Sequence, residues 1–197
     1  MKEKIGVMIT RAQPIHSGHI SVIKKMLEEN DKALIILGSA DKCRTKRNPF
    51  KVQERFNMLN QAIEYYHLDR NRIDIMTLSD FSADNEIPYD SNIGSTNQNY
   101  ETVNKEWGLY LYYNIVSKIK EKTFSIYYND DPAIIKEWFP DYIWNRITLK
   151  SFGRNNISSS LVREALLDNN IPFLKDAMPF LGNDEYRSLM YIMNLFH

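Results

Sequence analysis

The sequence is poor in the residues that build metal knuckles, staples and flexible tethers. Its single cysteine, Cys43, stands alone among 197 residues. No intrachain disulfide can close, and no site built from paired thiolates can form. The seven glycines and seven prolines are scattered, and no Pro/Gly/Ser-rich linker, internal repeat or low-complexity tract appears. One domain over residues 1–197 is therefore expected, with a helical C-terminal extension over about 171–197. No apolar run approaches the ~20 residues of a membrane helix. The run from Ile5 to Ile9, behind Lys2 and Lys4, is too short for a signal peptide. Charge of either sign is also missing in the balance: 25 basic residues meet 25 acidic ones. No global field then steers the chain to nucleic acid or to an anionic membrane. These absences fit a cytoplasmic protein. Any phosphate site must be a local gathering of cations and backbone N–H groups.

What is present is a 43% hydrophobic fraction, enough for a core, arranged in an alternating pattern. Ile5 to Ile9 and Ala33 to Leu37 are compact apolar runs that read as buried strands. Between them Ile20, Ile23 and Leu27 fall at helical spacing. Pro49 suits the first turn of a second helix that carries Phe56, Leu59 and Ile63 inward. Ile73 to Leu78 reads as a third strand, and the polar stretch Phe81 to Thr102 as a long loop. Trp107, Leu111, Ile115 and Ile119 mark a helix, and Phe124 to Tyr128 a fourth strand followed by a short helix from Pro132. Ile147 to Leu149 reads as a fifth strand, Leu161 to Leu167 as a helix, and Tyr186 to Phe196 as a last amphipathic helix. Alternation of this kind implies an α/β, Rossmann-like parallel sheet with helices on both faces, joined by right-handed crossovers. Ligands in such sheets bind beyond the carboxyl ends of the strands. The loop from Thr10 to His19 stands in that place.

That loop holds the sharpest motif, Thr10-Arg-Ala-Gln-Pro-Ile-His-Ser-Gly-His19. His16 and His19 are three apart at a helix start and can face one point. Ser17 is a candidate N-cap, and Gly18 lets a ligand approach the backbone. A helix N-terminus with free N–H groups is a phosphate site in waiting. The two imidazoles could instead be half of a metal site, but no carboxylate lies nearby to complete it. A second motif, Ile157-Ser-Ser-Ser-Leu-Val-Arg163, opens a late helix with hydroxyls that can cap it or donate to phosphate, and Arg163 sits one turn inside. A third, Lys42-Cys-Arg-Thr-Lys-Arg47 before Asn48-Pro-Phe50, is a local basic patch. It reads as a solvated loop or as a triphosphate contact on the same sheet edge as the histidines.

The stretch His16-Ser-Gly-His19 resembles the HxGH signature of the nucleotidyltransferase superfamily, and Ile157 to Arg163 resembles its partner signature ISSTxxR, with Ser160 for Thr. Within it the chain is most similar to the archaeal-type nicotinamide mononucleotide (NMN) adenylyltransferases. Their GRxQPFHxGH loop is matched at Arg11, Gln13, Pro14, His16, Gly18 and His19. Their GSAQ strand end corresponds to Gly38-Ser-Ala-Asp41, and their (R/E)(D/N)PFxxxER helix start to Arg47-Asn-Pro-Phe50 with Glu54-Arg55. Thr10 stands where that family has glycine, and Tyr128-Asn-Asp-Asp-Pro132 where it has YSGNP.

The resemblance implies AMP transfer from ATP to NMN, giving NAD and pyrophosphate, with Mg²⁺ arriving on ATP and no metal held by the protein alone. It implies His16, His19, Arg163 and Arg11 as catalytic. Thr10, Gly18, Arg47, Ser158 and Ser160 would be ATP-binding. Gly38, Ser39 and Trp107 would hold the acceptor, with Trp107 stacked on the nicotinamide ring, although its i, i+4 stripe reads equally as core. It also implies a homo-oligomer, with no nucleic-acid or membrane partner. Three alternatives stay open. One is another acceptor or nucleotide within the superfamily, such as phosphopantetheine, nicotinate mononucleotide or a cytidylyl transfer. Another is a catalytically silent nucleotide-binding regulator. The third is a nucleic-acid-binding module suggested only by Lys42 to Arg47.

Overall fold

The structure, a computed structural model, describes residues 3–80, 98–128, 132–153 and 156–196. Five parallel strands form one sheet: β1 (Ile5–Thr10), β2 (Lys32–Leu37), β3 (Ile73–Thr77), β4 (Phe124–Tyr128) and β5 (Ile147–Ser151). Their spatial order is β3-β2-β1-β4-β5. The chain moves outward from β1 to β3, then crosses back to place β4 on the other side of β1. That reversal opens a crevice beyond the ends of β1 and β4, where ligands of open α/β sheets bind.

Helices cover both faces. On one side lie α1 (Ser17–Glu29), α2 (Val52–Tyr65), α5 (Ser159–Leu167), α6 (Ile171–Ala177) and α7 (Asn183–Phe196), enclosing a core with Ile23, Met26, Leu59 and Leu166. On the other lie α3 (Gln98–Ile119) and α4 (Pro132–Trp138), over Val7, Leu34, Leu111, Ile115 and Ile126. The central strands meet both cores: Val7, Leu34, Ile35, Ile36 and Leu37 are wholly buried. This is why β2 reads as an unbroken apolar run and not as an alternation. Burying each such side chain contributes roughly 1.5–3 kcal/mol. At the far edge, Arg72 closes α1 by donating to the carbonyls of Leu27, Asn30 and Asp31, which satisfies acceptors that a helix C-terminus leaves open.

Three expectations about element boundaries change. Pro49 does not enter the first turn of α2; it precedes Lys51, the N-cap, and its carbonyl accepts from the Arg44 guanidinium. Residues 98–102 belong to α3 and not to a loop, while 81–97, the rest of that stretch, lie outside the described residues. The fifth strand runs on to Ser151. The C-terminal extension folds as two helices, α6 and α7. They join the same core as α1 and α2, anchored by Tyr186, whose buried hydroxyl donates to the carbonyls of Leu174 and Met178.

The tightest contact between helices is at Gly108 of α3. A Cβ added there would lie 1.5 Å from the Trp138 carbonyl oxygen, so the backbones of α3 and α4 touch where no side chain can fit. Gly108→Ala should lower the free energy of unfolding by about 3 kcal/mol in urea titrations. Gly153→Ala, whose new methyl group would meet nothing within 4 Å, should stay within ~0.5 kcal/mol.

Candidate active site

Beyond β1 the chain must turn into α1, and a left-handed residue, Ala12 (φ 47°), makes the turn. Gln13 locks the loop to the approach of α2: its side-chain amide donates to the Phe50 carbonyl and accepts the Phe50 N–H, both at 3.0 Å. The N-cap of α1 is His16 and not Ser17, which is the first helical residue. Nδ1 of His16 accepts the Gly18 N–H at 3.1 Å, and Nδ1 of His19 accepts the His16 N–H at 3.2 Å. Two imidazoles thus do the work usually shared by a hydroxyl and a carboxylate in a capping box. The ring centroids are 3.9 Å apart.

This pattern sets the tautomers. A ring nitrogen that accepts a backbone N–H carries no proton, so each neutral imidazole holds its proton on Nε2. In His19 that Nε2–H donates to the Thr10 hydroxyl oxygen at 3.0 Å, which also accepts the Ala12 N–H. Burial keeps both rings neutral. His16, 6% exposed, is pushed down to about 4 by desolvation. His19 is held well below its ordinary value by desolvation and, secondarily, by His16.

The late motif arrives against this loop. Ser158 caps α5 by accepting the Leu161 N–H, so its oxygen serves the helix. Ser159 donates to the Pro14 carbonyl at 3.1 Å, stitching α5 to the histidine loop. Arg163 donates to the Gln13 carbonyl at 2.7 Å and to the Ser160 hydroxyl at 3.1 Å. The guanidinium is thereby fixed against the loop, although Arg163 and Gln13 are 150 residues apart in sequence. Its affinity for its proton is lowered by burial first, then by Arg11 and by Arg47. Arg163 thus lies within electrostatic range of Arg11 and Arg47.

The rest of the basic patch is partly neutralised. Lys42 pairs with Asp80 at 2.7 Å and Arg44 with Glu54 at 2.5 Å. Ser39, in the left-handed region at φ 48°, donates to Asp80 and ties the end of β2 to the end of β3. Gly38 needs no special conformation; a Cβ there would meet nothing closer than 3.9 Å. Both residues give their carbonyls to Arg55, which also holds the Arg11 carbonyl. Arg55 is fully buried, and its Nε meets no acceptor among the described residues. Gln13 and Arg55 stand in the matched family motifs and Ser159 in the serine run, yet the sequence assigns none of the three a place of its own in the site. Trp107 is half-buried on α3, edge to face with Trp138 at 4.9 Å, in the core of the opposite sheet face. The residues aligned with YSGNP, 129–131, lie outside the described residues. Among the described residues no group of three or more His, Cys, Asp or Glu is placed to hold a metal ion, and no helix is long and apolar enough to cross a membrane.

The depressed His16 pKa has a consequence for stability. The unfolded chain takes up this proton near pH ~6.5 and the folded chain only near 4. The contribution is full above the unfolded value and drains as pH falls toward 4, removing about 2 kcal/mol between pH ~7 and ~5. His16→Asn keeps an acceptor for the Gly18 N–H and removes the titration. Its loss of stability over that range, measured by urea unfolding, should be smaller than wild type by about this amount.

The profile of the cytidylyltransferase-like family matches residues 7–165. A nicotinamide-nucleotide adenylyltransferase from Methanococcus maripaludis is 27% identical over 165 residues, covering 83% of this chain and 78% of that protein. One from Thermoplasma acidophilum is 43% identical over 63 residues, covering 32% of this chain and 35% of that protein; a Thermoplasma volcanium relative is likewise covered over 38% of its length. The matched segments thus span little more than a third of these two relatives. In fold, the chain is similar to a bifunctional NMN adenylyltransferase/ADP ribose pyrophosphatase from Francisella tularensis, solved with AMP and a manganese ion. The TM-score is 0.71 at 20% identity, over 98% of this chain and 50% of that one. The β1 loop, the basic turn after β2 and the start of α5 all fall inside the matched span, and the chain belongs to the cytidylyltransferase-like family of nucleotidyltransferases.

Proposed function

We propose that this chain transfers AMP from ATP to nicotinamide mononucleotide, giving NAD and pyrophosphate. The observation that carries the reading is the docking of Arg163 on the Gln13 carbonyl, against the loop that carries two neutral N–H-bearing imidazoles 3.9 Å apart and within electrostatic range of Arg11 and Arg47. Like charges held together against repulsion make a receptor for a polyanion. The names of the Methanococcus and Thermoplasma relatives support the choice of acceptor.

The chemistry asks little beyond such a receptor. The second pKa of a phosphate monoester is ~6, so NMN presents a dianion at neutral pH and no general base is needed. An NMN phosphate oxygen attacks the α-phosphorus of ATP, a new P–O–P bond forms, and the bond to the bridging oxygen of the β-phosphate breaks. Its electron pair leaves with pyrophosphate. The protein holds two anions in line and stabilises the charge that builds on the leaving group. His16 supplies a neutral N–H donor near the α-phosphate, with His19 beside it bonded to the Thr10 hydroxyl; Arg163, Arg47 and Arg11 meet the remaining phosphates. Gly18 and the N-terminus of α1 offer a backbone surface for phosphate, and Ser160, already bonded to Arg163, orients that guanidinium. Ser158 contributes by capping α5. Gly38 and Ser39, at the end of β2, border the acceptor side, with Trp107 a more remote wall on α3. Mg²⁺ enters as part of the ATP substrate and neutralises polyphosphate charge. A cytoplasmic setting and self-association belong to the same proposal, the latter read by light scattering.

Incubation with ATP, Mg²⁺ and NMN should yield NAD and pyrophosphate. Product from nicotinate mononucleotide, phosphopantetheine or CTP, but not from NMN with ATP, moves the assignment to another acceptor or nucleotide. Tight ATP binding without pyrophosphate release from any pair points to a silent regulator. His19→Ala should keep its fold and lose ~10²–10³ in turnover; undiminished turnover sinks the assignment.

A further inference from the structure

The parallel ladder between β1 and β2 runs as far as Thr10 and Leu37, and the Gly38 N–H adds a last bond to the Thr10 carbonyl at 2.9 Å. Beyond that point the two chains part. Each bends through a left-handed residue, Ala12 at φ 47° after β1 and Ser39 at φ 48° after β2. Such a conformation is unfavourable for a residue with a Cβ and persists only where its surroundings hold it. The carbonyls at both bends belong to Arg55, on α2. Its Nη1 donates to the Arg11 carbonyl at 2.7 Å and to the Gly38 carbonyl at 2.8 Å, and its Nη2 to the Ser39 carbonyl at 3.1 Å. A single nitrogen thus joins the two departing strands. The guanidinium is planar and fully buried, so its donors stand at fixed directions. Burial weakens its hold on the proton, and the carboxylates of Asp80 and Asp41 act the other way. Asp80 also accepts the Ser39 hydroxyl, which steadies the second bend.

We propose that Arg55 is a positioning residue for the group transfer: it holds the bends after β1 and β2 at one spacing, and so sets the acceptor phosphate in line with the α-phosphorus of ATP. The inference rests on the adenylyl-transfer reading, in which the loop after β1 holds the nucleotide and Gly38 and Ser39 border the acceptor. Arg55 touches neither substrate, since no part of it is exposed. Each substrate sits on its own bend and binds there by itself. The new P–O bond forms only when the two bends stand at the right separation. A misplacement of ~1 Å that starts away from the chemistry can cost ~10²-fold in rate. The effect of Arg55 therefore falls on turnover and spares binding. Lysine keeps the charge but is a point donor, without the planar fork that spans two strands.

The test compares wild type with Arg55→Lys and Arg55→Gln. Circular dichroism and urea unfolding give the folded fraction of each. Calorimetry follows NMN and, separately, the α,β-methylene analogue of ATP with Mg²⁺, and NAD formation gives kcat and both KM values. Arg55→Lys should fold, bind each ligand within about threefold of wild type, and lose ~10²-fold in kcat per folded molecule. A merely structural role would instead leave kcat per folded molecule unchanged or weaken binding in step with rate. Three results overturn the proposal: kcat per folded molecule within about threefold of wild type, Kd values that rise as much as kcat falls, or failure of both variants to fold. NAD formation by wild type with an indifferent Arg55→Lys removes Arg55 alone. Wild type that makes product only with another acceptor moves the function, and the same ratio of kcat to binding measured with that acceptor decides Arg55. Wild type that is inert with every acceptor overturns both.

Discussion

The reciprocal cap at the start of α1 is the interaction on which the site depends. Each imidazole spends Nδ1 on a backbone N–H, and that single choice decides three things together. It satisfies donors that a helix N-terminus would otherwise leave open. It sets both rings in the tautomer with the proton on Nε2. It holds the rings side by side at 3.9 Å, where desolvation keeps them uncharged. A charged pair at that distance would repel, and protonation of either Nδ1 would eject a backbone donor. The cap is therefore a folding element that also leaves the proton of each ring on Nε2.

The remainder of the site hangs from the same loop. Arg163 and Ser159 reach it through the carbonyls of Gln13 and Pro14, so α5 is hydrogen-bonded to the backbone of the loop. Arg55 works from beneath, bridging the ends of β1 and β2 through three carbonyls. A buried guanidinium without a carboxylate partner at bonding distance is costly by itself. Here its charge is spread over carbonyl dipoles and is felt by Asp80 and Asp41 nearby. The result is a cationic floor and rim in a protein whose formal charge is zero, with Lys42 and Arg44 drawn away into ion pairs that shape the loop after β2.

Much of the sheet could be read in advance because its signals are local. Buried parallel strands demand continuous apolar runs, and Ile5 to Ile9 and Ala33 to Leu37 supply them. The boundaries that moved did so where local signals compete. A Ser beside a His looks like the cap, yet His16 takes that place because His19 answers it one turn later. Pro49 looks like a helix opener, yet its carbonyl is needed by Arg44. The polar opening of α3 shows no apolar period, so residues 98–102 read as loop. The three serines look equivalent in a row, but one caps, one stitches and one bonds Arg163.

By itself the sequence determined the order of strands and helices, the place of the two-histidine loop after the first strand, and the residue types available for the chemistry. These follow from periodicity and composition, which act over a few neighbours. Only the tertiary structure decided that Arg163 meets the Gln13 carbonyl within electrostatic range of Arg11 and Arg47, and that His19 is hydrogen-bonded to the Thr10 hydroxyl. Those contacts join segments separated by up to 150 residues. They exist because the crossover of the chain brings the ends of β1, β2 and β5 to one edge. No pattern along the chain encodes which donor will find which acceptor there, since that depends on distances set by the packed sheet.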